Sequence, residues 1–107
     1  MRLFAVVREA GPGWAAGGIT EQPAIGAHAA FMDGLVQEEF LLAAGPLAGS
    51  EQGRLRVLLV VDAEDEAEIE NRLADDPWQR SEQLLTTSVE SWRILAGGKR
   101  LAGGVTT

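Results

Sequence analysis

Cysteine is missing from this sequence, and histidine occurs once, at His28. Without cysteine the chain has no disulfide framework, no thiolate nucleophile and no cysteine-ligated zinc or iron–sulfur site. A single histidine also excludes the usual metal sites, in which several imidazoles share one ion. The Gly-rich segment 11–18 lacks the spacing of phosphate-binding loops. We therefore expect no metal site and no organic cofactor.

Basic residues and long apolar runs are also scarce. Nine lysines and arginines stand against 16 aspartates and glutamates, and the net charge of -7 argues against binding to nucleic acid or to anionic membranes. No apolar run approaches the ~20 residues that cross a bilayer, and the N-terminus lacks the pattern of a secretion signal. We expect a cytoplasmic protein, and 107 residues suffice for one domain.

Short apolar runs bounded by turn residues alternate with amphipathic stretches along the chain. The pattern predicts, in order, a strand at 3–7, a helix at 23–38, strands at 40–44 and 55–61, a helix at 63–75 and a strand within 84–95. This β-α-β-β-α-β order predicts an α+β protein with the ferredoxin-like split βαβ fold, a sandwich of two helices on one face of a sheet. We expect the domain to span residues 1–97, followed by a flexible, Gly-rich tail at 98–107.

The predicted sheet is apolar on both faces. Along the third strand, Leu55 and Leu59 would point to one face, and Leu58 and Val60 to the other. A sheet with one face in water should instead alternate apolar and polar residues, and no further helix is predicted to cover the second face. We therefore expect a homodimer packed through this open sheet face, with two-fold symmetry. The alternative is a fold-back of the tail, but a Gly-rich segment makes a poor lid.

His28 lies in the middle of the apolar arc of the first predicted helix. A neutral imidazole has one donor and one acceptor, and leaving a polar group unpaired in the interior costs on the order of 1–3 kcal/mol. Either a backbone carbonyl or a carboxylate from elsewhere in the chain would satisfy it. The first partner would make His28 a structural core residue. The second would make it a candidate acid–base group.

Asp76 stands before Pro77, and this order predicts the end of the second helix. It also makes Asp76 a suitable N-cap for a short helix that starts at Pro77, with Gln79 as its reciprocal capping-box partner. A capping aspartate still has a second carboxylate oxygen, which a histidine can use. The structural and the functional interpretation of Asp76 are therefore compatible.

Further residues are candidates for a binding site. Gly45 and Pro46 predict a turn after the second strand, or a place where the backbone comes close to a ligand. Trp14 and Trp78 are either buried bulk or the walls of a pocket. Arg8, at the end of the first strand, suits a bidentate contact with a ligand carboxylate, but a surface ion pair is the commoner role.

Three segments carry a resemblance to a known family. They are HAAFMDGLVQEEFLLAAGPL (28–47), LADDPW (73–78) and SVESWRIL (88–95). In this order and at these spacings they resemble the YciI-like, or YCII-related, domain family. The resemblance extends over about residues 1–97. It implies a ferredoxin-like fold in a dimeric α/β barrel, in agreement with the expectation from the sheet.

The resemblance also implies a His–Asp pair in a cleft, carried here by His28 and Asp76. One position departs from the family pattern. The family usually has glycine before the aromatic residue of the second strand, and this chain has Glu39. A non-glycine residue would then have to adopt the left-handed backbone conformation where the first helix ends. The resemblance implies no particular substrate or reaction.

The first hypothesis for the function is a cofactor-independent small-molecule enzyme. His28 would act as general base or acid, because imidazole side chains titrate near neutral pH. Asp76 would fix the tautomer of the ring and stabilise the imidazolium. Since no nucleophile signature is present, a lyase-type elimination or an isomerisation suits the chain better than acyl-enzyme chemistry. The two tryptophans and the Gly–Pro turn would line an apolar pocket for an aromatic or lactone-like compound.

Two alternatives stand beside this hypothesis. A non-catalytic dimeric binding or regulatory module would use the same pocket, with His28 only holding a small-molecule ligand. A purely structural dimer would have no pocket, and His28 would be bonded to a main-chain carbonyl in a dry core. A dry His28 bonded to a main-chain carbonyl, with no cavity beside it, would favour this third hypothesis. Replacement of the pair separates catalysis from binding.

Overall fold

The computed structural model describes residues 1–99. The strands are β1 (Leu3–Ala10), β2 (Leu41–Pro46), β3 (Arg56–Asp62) and β4 (Leu84–Ser91), and the helices are α1 (Ile25–Gln37), α2 (Glu66–Leu73) and α3 (Pro77–Arg80). The strands and the two longer helices occur in the predicted order along the chain, and the short helix predicted from Pro77 is present as α3. The predicted tail at 98–107 lies outside the described residues from residue 100 onward.

The four strands form one antiparallel sheet in the order β2-β3-β1-β4. Val6 of β1 lies opposite Leu59 of β3, so alternate residues of the two central strands share a face. Strand β4 has one additional residue, Thr87, opposite the step from Val7 to Arg8. A bulge of this kind bends the strand and redirects nearby side chains. It lies directly beside Arg8.

Helices α1 and α2 pack on the same face of the sheet. The main core combines residues of β1 and β3 with residues of both helices, among them Phe4, Val6, Leu59, Leu35, Ile69 and Leu73. Each buried aliphatic or aromatic side chain of this size contributes roughly 1.5–3 kcal/mol of transfer free energy. A second cluster, made of Leu55, Trp78 and Leu84, lies where β1 ends. This second cluster supports the site described below.

Both long helices are shorter than predicted. Helix α2 begins at Glu66 rather than at residue 63, because the side chain of Asp65 accepts a hydrogen bond from the backbone N–H of Glu68 at 2.9 Å and caps the helix there. Helix α1 begins at Ile25 rather than at residue 23. Within residues 1–99, none of the helices has the length and apolarity that a membrane crossing requires.

The segment with Gly45 and Pro46 is not a turn, and this prediction is wrong. Strand β2 continues through both residues, which lie opposite Leu58 and Val57 of β3. Proline is accommodated here because β2 is an edge strand, where one side of the backbone needs no ladder partner. Two predicted site residues therefore lie on the rigid edge of the sheet.

The chain leaves α1 through a left-handed residue. Glu39 has a φ of 62°. The backbone N–H of Phe40 donates to the carbonyl of Leu35 at 3.1 Å, and the N–H of Glu39 donates to the carbonyl of Val36 at 3.0 Å. These are the two hydrogen bonds of a Schellman C-cap, a position that usually holds glycine. The left-handed conformation expected at Glu39 is thus present.

The outer face of the sheet, opposite the helices, is apolar along its two central strands. Ala5 lies opposite Val60, and Val7 lies opposite Leu58. Val60 is buried, and the other three side chains are half-buried. We refer to these four residues as the outer patch.

Candidate active site

The fold brings His28 and Asp76 into contact although 48 positions separate them in the chain. His28 lies on α1, and Asp76 lies in the link between α2 and α3. The imidazole Nδ1 is 2.9 Å from Oδ1 of the carboxylate and 3.1 Å from Oδ2. A carboxylate, not a backbone carbonyl, therefore satisfies this histidine.

Asp76 also caps α3, as the sequence predicts. Its Oδ1 accepts a hydrogen bond from the backbone N–H of Trp78 at 3.0 Å. Pro77 occupies the first position of the helix, where a backbone N–H would have no acceptor within the helix, so its absence costs no hydrogen bond. The predicted reciprocal contact from Gln79 is wrong, because the Gln79 side chain binds Arg8 instead. The cap fixes the carboxylate relative to α3.

Arg8 binds the same carboxylate from the sheet. Its Nη1 donates to Oδ2 of Asp76 at 2.7 Å, and its Nη2 donates to Oε1 of Gln79 at 3.0 Å. Neither the Arg8 nor the Asp76 side chain is exposed to solvent. The expectation of a surface ion pair is wrong, because β1 places Arg8 on the same buried face as Phe4 and Val6. The ion pair is internal.

The hydrogen bonds around Asp76 keep its carboxylate ionised. Burial raises the pKa of this carboxyl, but hydrogen bonds from His28, from Arg8 and from the Trp78 backbone, with the attraction of the Arg8 charge, outweigh burial and hold the pKa below its ordinary value of 3.8. An ionised carboxylate can only accept hydrogen bonds. Nδ1 of His28 must therefore carry the ring proton, which leaves the lone pair on Nε2.

Trp78 sets the plane of the imidazole. The two rings are stacked with centroids 3.9 Å apart and an interplanar angle of 6°. The indole is itself fixed, because Nε1 donates to the carbonyl of Pro23 at 2.8 Å and Trp14 packs edge-on against it with centroids 5.5 Å apart. His28 is thus held by a carboxylate at one edge and an aromatic face alongside.

A cleft of about 290 Å³ adjoins His28. The imidazole is 12% exposed. Within residues 1–99, Nε2 has no hydrogen-bond partner and is not sealed from solvent. The volume is at the lower end of the roughly 300–1,000 Å³ of small-molecule sites. A compound with a single ring is the size of ligand that suits it.

The walls of the cleft are largely apolar. They include Ile19, Met32, Leu55, Val57, Leu59 and Leu84. Of the predicted binding residues, Arg8, Gly45, Pro46 and Trp78 border the cleft. Trp14 does not: it borders a separate, smaller cavity, although it packs against Trp78. In the described part of the chain, no three His, Asp or Glu side chains are grouped so that they could hold a metal ion.

The comparison with family models decides the classification. The model described as the YCII-related domain matches residues 3–93, which is most of the chain. This chain belongs to the YCII-related domain family. The comparison with curated proteins gives no match.

One solved structure similar to this YCII-related domain is 5-chloro-2-hydroxyhydroquinone dehydrochlorinase (TftG) from Burkholderia phenoliruptrix AC1100, in complex with 2,5-dihydroxybenzoquinone. The two chains are 22% identical, and the match covers 85% of this chain and 93% of that chain with a TM-score of 0.59. A likeness at this level of identity shows a common fold: a small α+β domain.

Sequence reasoning missed two polar residues of the YCII-related domain's site. Asp33, on α1, borders the cleft, and Gln79 orients Arg8. The alternation of β1 offered a signal for the buried ion pair, because Phe4, Val6 and Arg8 follow each other at the period of a strand. Gln79 had no such signal, because its partner comes from 71 positions away.

Proposed function

We propose that this YCII-related domain is a small-molecule enzyme in which His28 and Asp76 perform acid–base chemistry. The observation that carries the proposal is the arrangement of the imidazole: Nδ1 is bound to an ionised, buried carboxylate, while Nε2 is free beside a cleft. A ring held in one tautomer with a free lone pair at a ligand-sized cavity is the arrangement of a general base.

The proposed chemistry is the transfer of one proton and its return. Nε2 of His28 takes a proton from an O–H or C–H group of the ligand, and the resulting imidazolium is stabilised by Asp76. The imidazolium then gives the proton to a leaving group or to another atom of the same ligand. The first outcome is an elimination and the second an isomerisation. Neither outcome requires a cofactor.

Elimination on a hydroxylated ring is our preferred reaction. TftG is by name a dehydrochlorinase of a hydroxylated, chlorinated single ring, and its structure contains 2,5-dihydroxybenzoquinone. The cleft described here has apolar walls and the volume of a one-ring compound. Trp78, which is stacked on His28, forms part of the cleft wall. These features support a lyase-type reaction on a small cyclic substrate.

We further propose that the domain has the ferredoxin-like arrangement and works as a homodimer. The sheet order β2-β3-β1-β4, with both long helices on one face, supports the first statement. The apolar outer patch supports the second, because a half-buried apolar sheet face is stabilised by a second copy packed against it.

The test of the proposed function is chloride release from 5-chloro-2-hydroxyhydroquinone, followed by a panel of hydroxylated aromatic compounds and lactones. We expect turnover by the wild type and a loss of roughly 100-fold or more in kcat/KM for His28→Gln and for Asp76→Asn. Binding of 2,5-dihydroxybenzoquinone, followed by tryptophan fluorescence, should stay within severalfold of the wild type in both variants.

Asp75→Asn is the matched control, because Asp75 is the neighbouring carboxylate, is exposed and pairs with Arg80 at the surface. It should leave kcat/KM unchanged. If the wild type binds ring compounds but turns none over, and if His28→Gln weakens that binding, the domain is a binding module and the catalytic proposal is wrong.

A further inference from the structure

The Asp76 carboxylate is shared between a cation and the imidazole. Its Oδ2 accepts from Nη1 of Arg8 at 2.7 Å and lies 3.1 Å from Nδ1 of His28. From this geometry we infer that Arg8, oriented by Gln79, is a positioning residue. Its positive charge balances that of the Asp76 carboxylate. The carboxylate can then orient the His28 ring without favouring the addition of a second proton to it. The consequence for turnover rests on the acid–base function proposed above.

Arg8 acts on His28 electrostatically, through the charge of Asp76. A buried carboxylate without a counter-ion favours the imidazolium form of a histidine beside it, because attraction between opposite charges is strong where water is excluded. An imidazolium has no lone pair and cannot act as a base. The positive charge of Arg8 is at the same carboxylate, and neither side chain is exposed. His28 therefore contacts an acceptor whose charge is already balanced.

Arg8 is held in a fixed orientation by its hydrogen bonds. Its planar guanidinium binds two acceptors at once, Asp76 and Gln79. Gln79 belongs to α3, the helix that Asp76 itself caps. Within residues 1–99, Nε of Arg8 has no hydrogen-bond partner. The two terminal nitrogens therefore make all the hydrogen bonds of this side chain, and the contact with Gln79 fixes its orientation towards Asp76.

Few other charges of the described residues face His28. Asp33, on the same helix, borders the same cleft. The residues that β2, β3 and β4 contribute to the cleft are uncharged, and Trp78 covers one face of the ring. The effect of Arg8 on the imidazole is therefore expected to pass through Asp76. Asp33 provides a comparison of opposite sign.

The experiment is an NMR titration of the imidazole, which is unambiguous because His28 is the only histidine in the sequence. The ring carbon and nitrogen signals are followed against pH in the full-length wild type and in Arg8→Met. We expect the midpoint of the titration to move to higher pH in Arg8→Met by about one unit, the size of effect that a charge within a few ångströms produces.

Three further variants make the shift interpretable. Arg80→Met removes a cation from α3, the helix of Gln79, but Arg80 is 67% exposed and pairs with Asp75, so the midpoint should stay in place. Asp33→Asn removes an anion and should move the midpoint to lower pH. Arg8→Lys keeps the positive charge but lacks the planar guanidinium that binds two acceptors, and its midpoint should lie close to that of the wild type.

The inference is overturned if folded Arg8→Met titrates like the wild type or at lower pH. Should Arg8→Met fail to fold, Gln79→Leu takes its place, because it keeps the cation and removes only its anchor. In Gln79→Leu we expect a smaller upward shift and a broadened imidazole signal. An unchanged titration and line width in that variant would equally overturn the inference.

The titration also separates this inference from the proposed function, because it needs no substrate. If a substrate is found, the acidic limb of the kcat/KM profile should move upward in Arg8→Met and Gln79→Leu in parallel with the NMR midpoint. If the NMR shift occurs and no compound is turned over, the electrostatic role of Arg8 stands and the catalytic proposal fails.

Discussion

Asp76 connects the local fold with the candidate site. One carboxylate caps α3 through the backbone of Trp78, orients His28 and pairs with Arg8. The Asp-Pro order predicts the cap, and an imidazole in an apolar arc predicts a buried partner. The position of Arg8 is harder to predict, because an arginine at a strand end is usually exposed unless a carboxylate from elsewhere is buried with it.

Replacing Asp76 by Asn should destabilise the protein in a pH-dependent way. The pKa of Asp76 is lowered in the folded state, so the ionised carboxylate stabilises the fold fully above its unfolded value of 3.8, and this contribution is lost as the pH falls through the lower, folded value. At neutral pH we expect a loss of about 3 kcal/mol, as for other buried ion pairs deprived of one partner. Urea unfolding, followed by tryptophan fluorescence, measures it.

The informative quantity in this prediction is the difference in unfolding free energy between wild type and Asp76→Asn. It should shrink as the pH falls below about 5 towards the lowered, folded-state pKa of Asp76. Asp75→Asn, at an exposed carboxylate, should differ little from the wild type throughout. A difference between wild type and Asp76→Asn that does not change with pH would show that the carboxylate charge is not what stabilises the fold.

At the scale of the elements, the order of strands and helices follows from the apolar pattern, whereas their ends depend on single residues. The Gly45-Pro46 pair has the composition of a turn, yet β2 runs through it because an edge strand tolerates proline. The side chain of Asp65 shortens α2 at its start. Neither fact follows from hydrophobic periodicity, because the first depends on strand pairing with β3 and the second on a hydrogen bond from one side chain.

The left-handed exit of α1 gives a prediction at this scale. Glu39→Gly should stabilise the protein by about 0.5–1 kcal/mol, because a left-handed conformation costs an L-residue roughly 1–2 kcal/mol and glycine gives back part of that gain as chain entropy. Thermal and urea unfolding measure the change. Glu70→Gly, inside α2, should instead destabilise by about 1 kcal/mol. Equal effects of the two substitutions would mean that the backbone conformation at Glu39 carries no strain.

At the scale of the whole molecule, the sequence predicts the class of fold, the His–Asp pair and an apolar pocket, but not the volume of the cleft or most of its walls. The pair is predicted because two residues with unusual local surroundings need each other, and because the chain resembles a family that has such a pair. The cleft volume and its walls depend on contacts between distant segments, such as β1 with α3 and α1 with the sheet edge. Trp14 is an example: its position in a loop does not tell whether its side chain lines the cleft or packs against another residue, here Trp78.

The outer patch gives the last prediction, that the protein is a homodimer. Two copies packed through Ala5, Val7, Leu58 and Val60 would remove these side chains from water, and wild type should sediment at twice the 11.4 kDa of the chain. Leu58→Lys should give folded monomers, because a dimer packed through the outer patch would have to bury unpaired lysine ammonium groups. Val36→Lys, at a half-exposed position of α1 on the other side of the sheet, should remain dimeric. Wild type that sediments as a monomer, or Leu58→Lys that stays dimeric with unchanged affinity, would place the interface elsewhere.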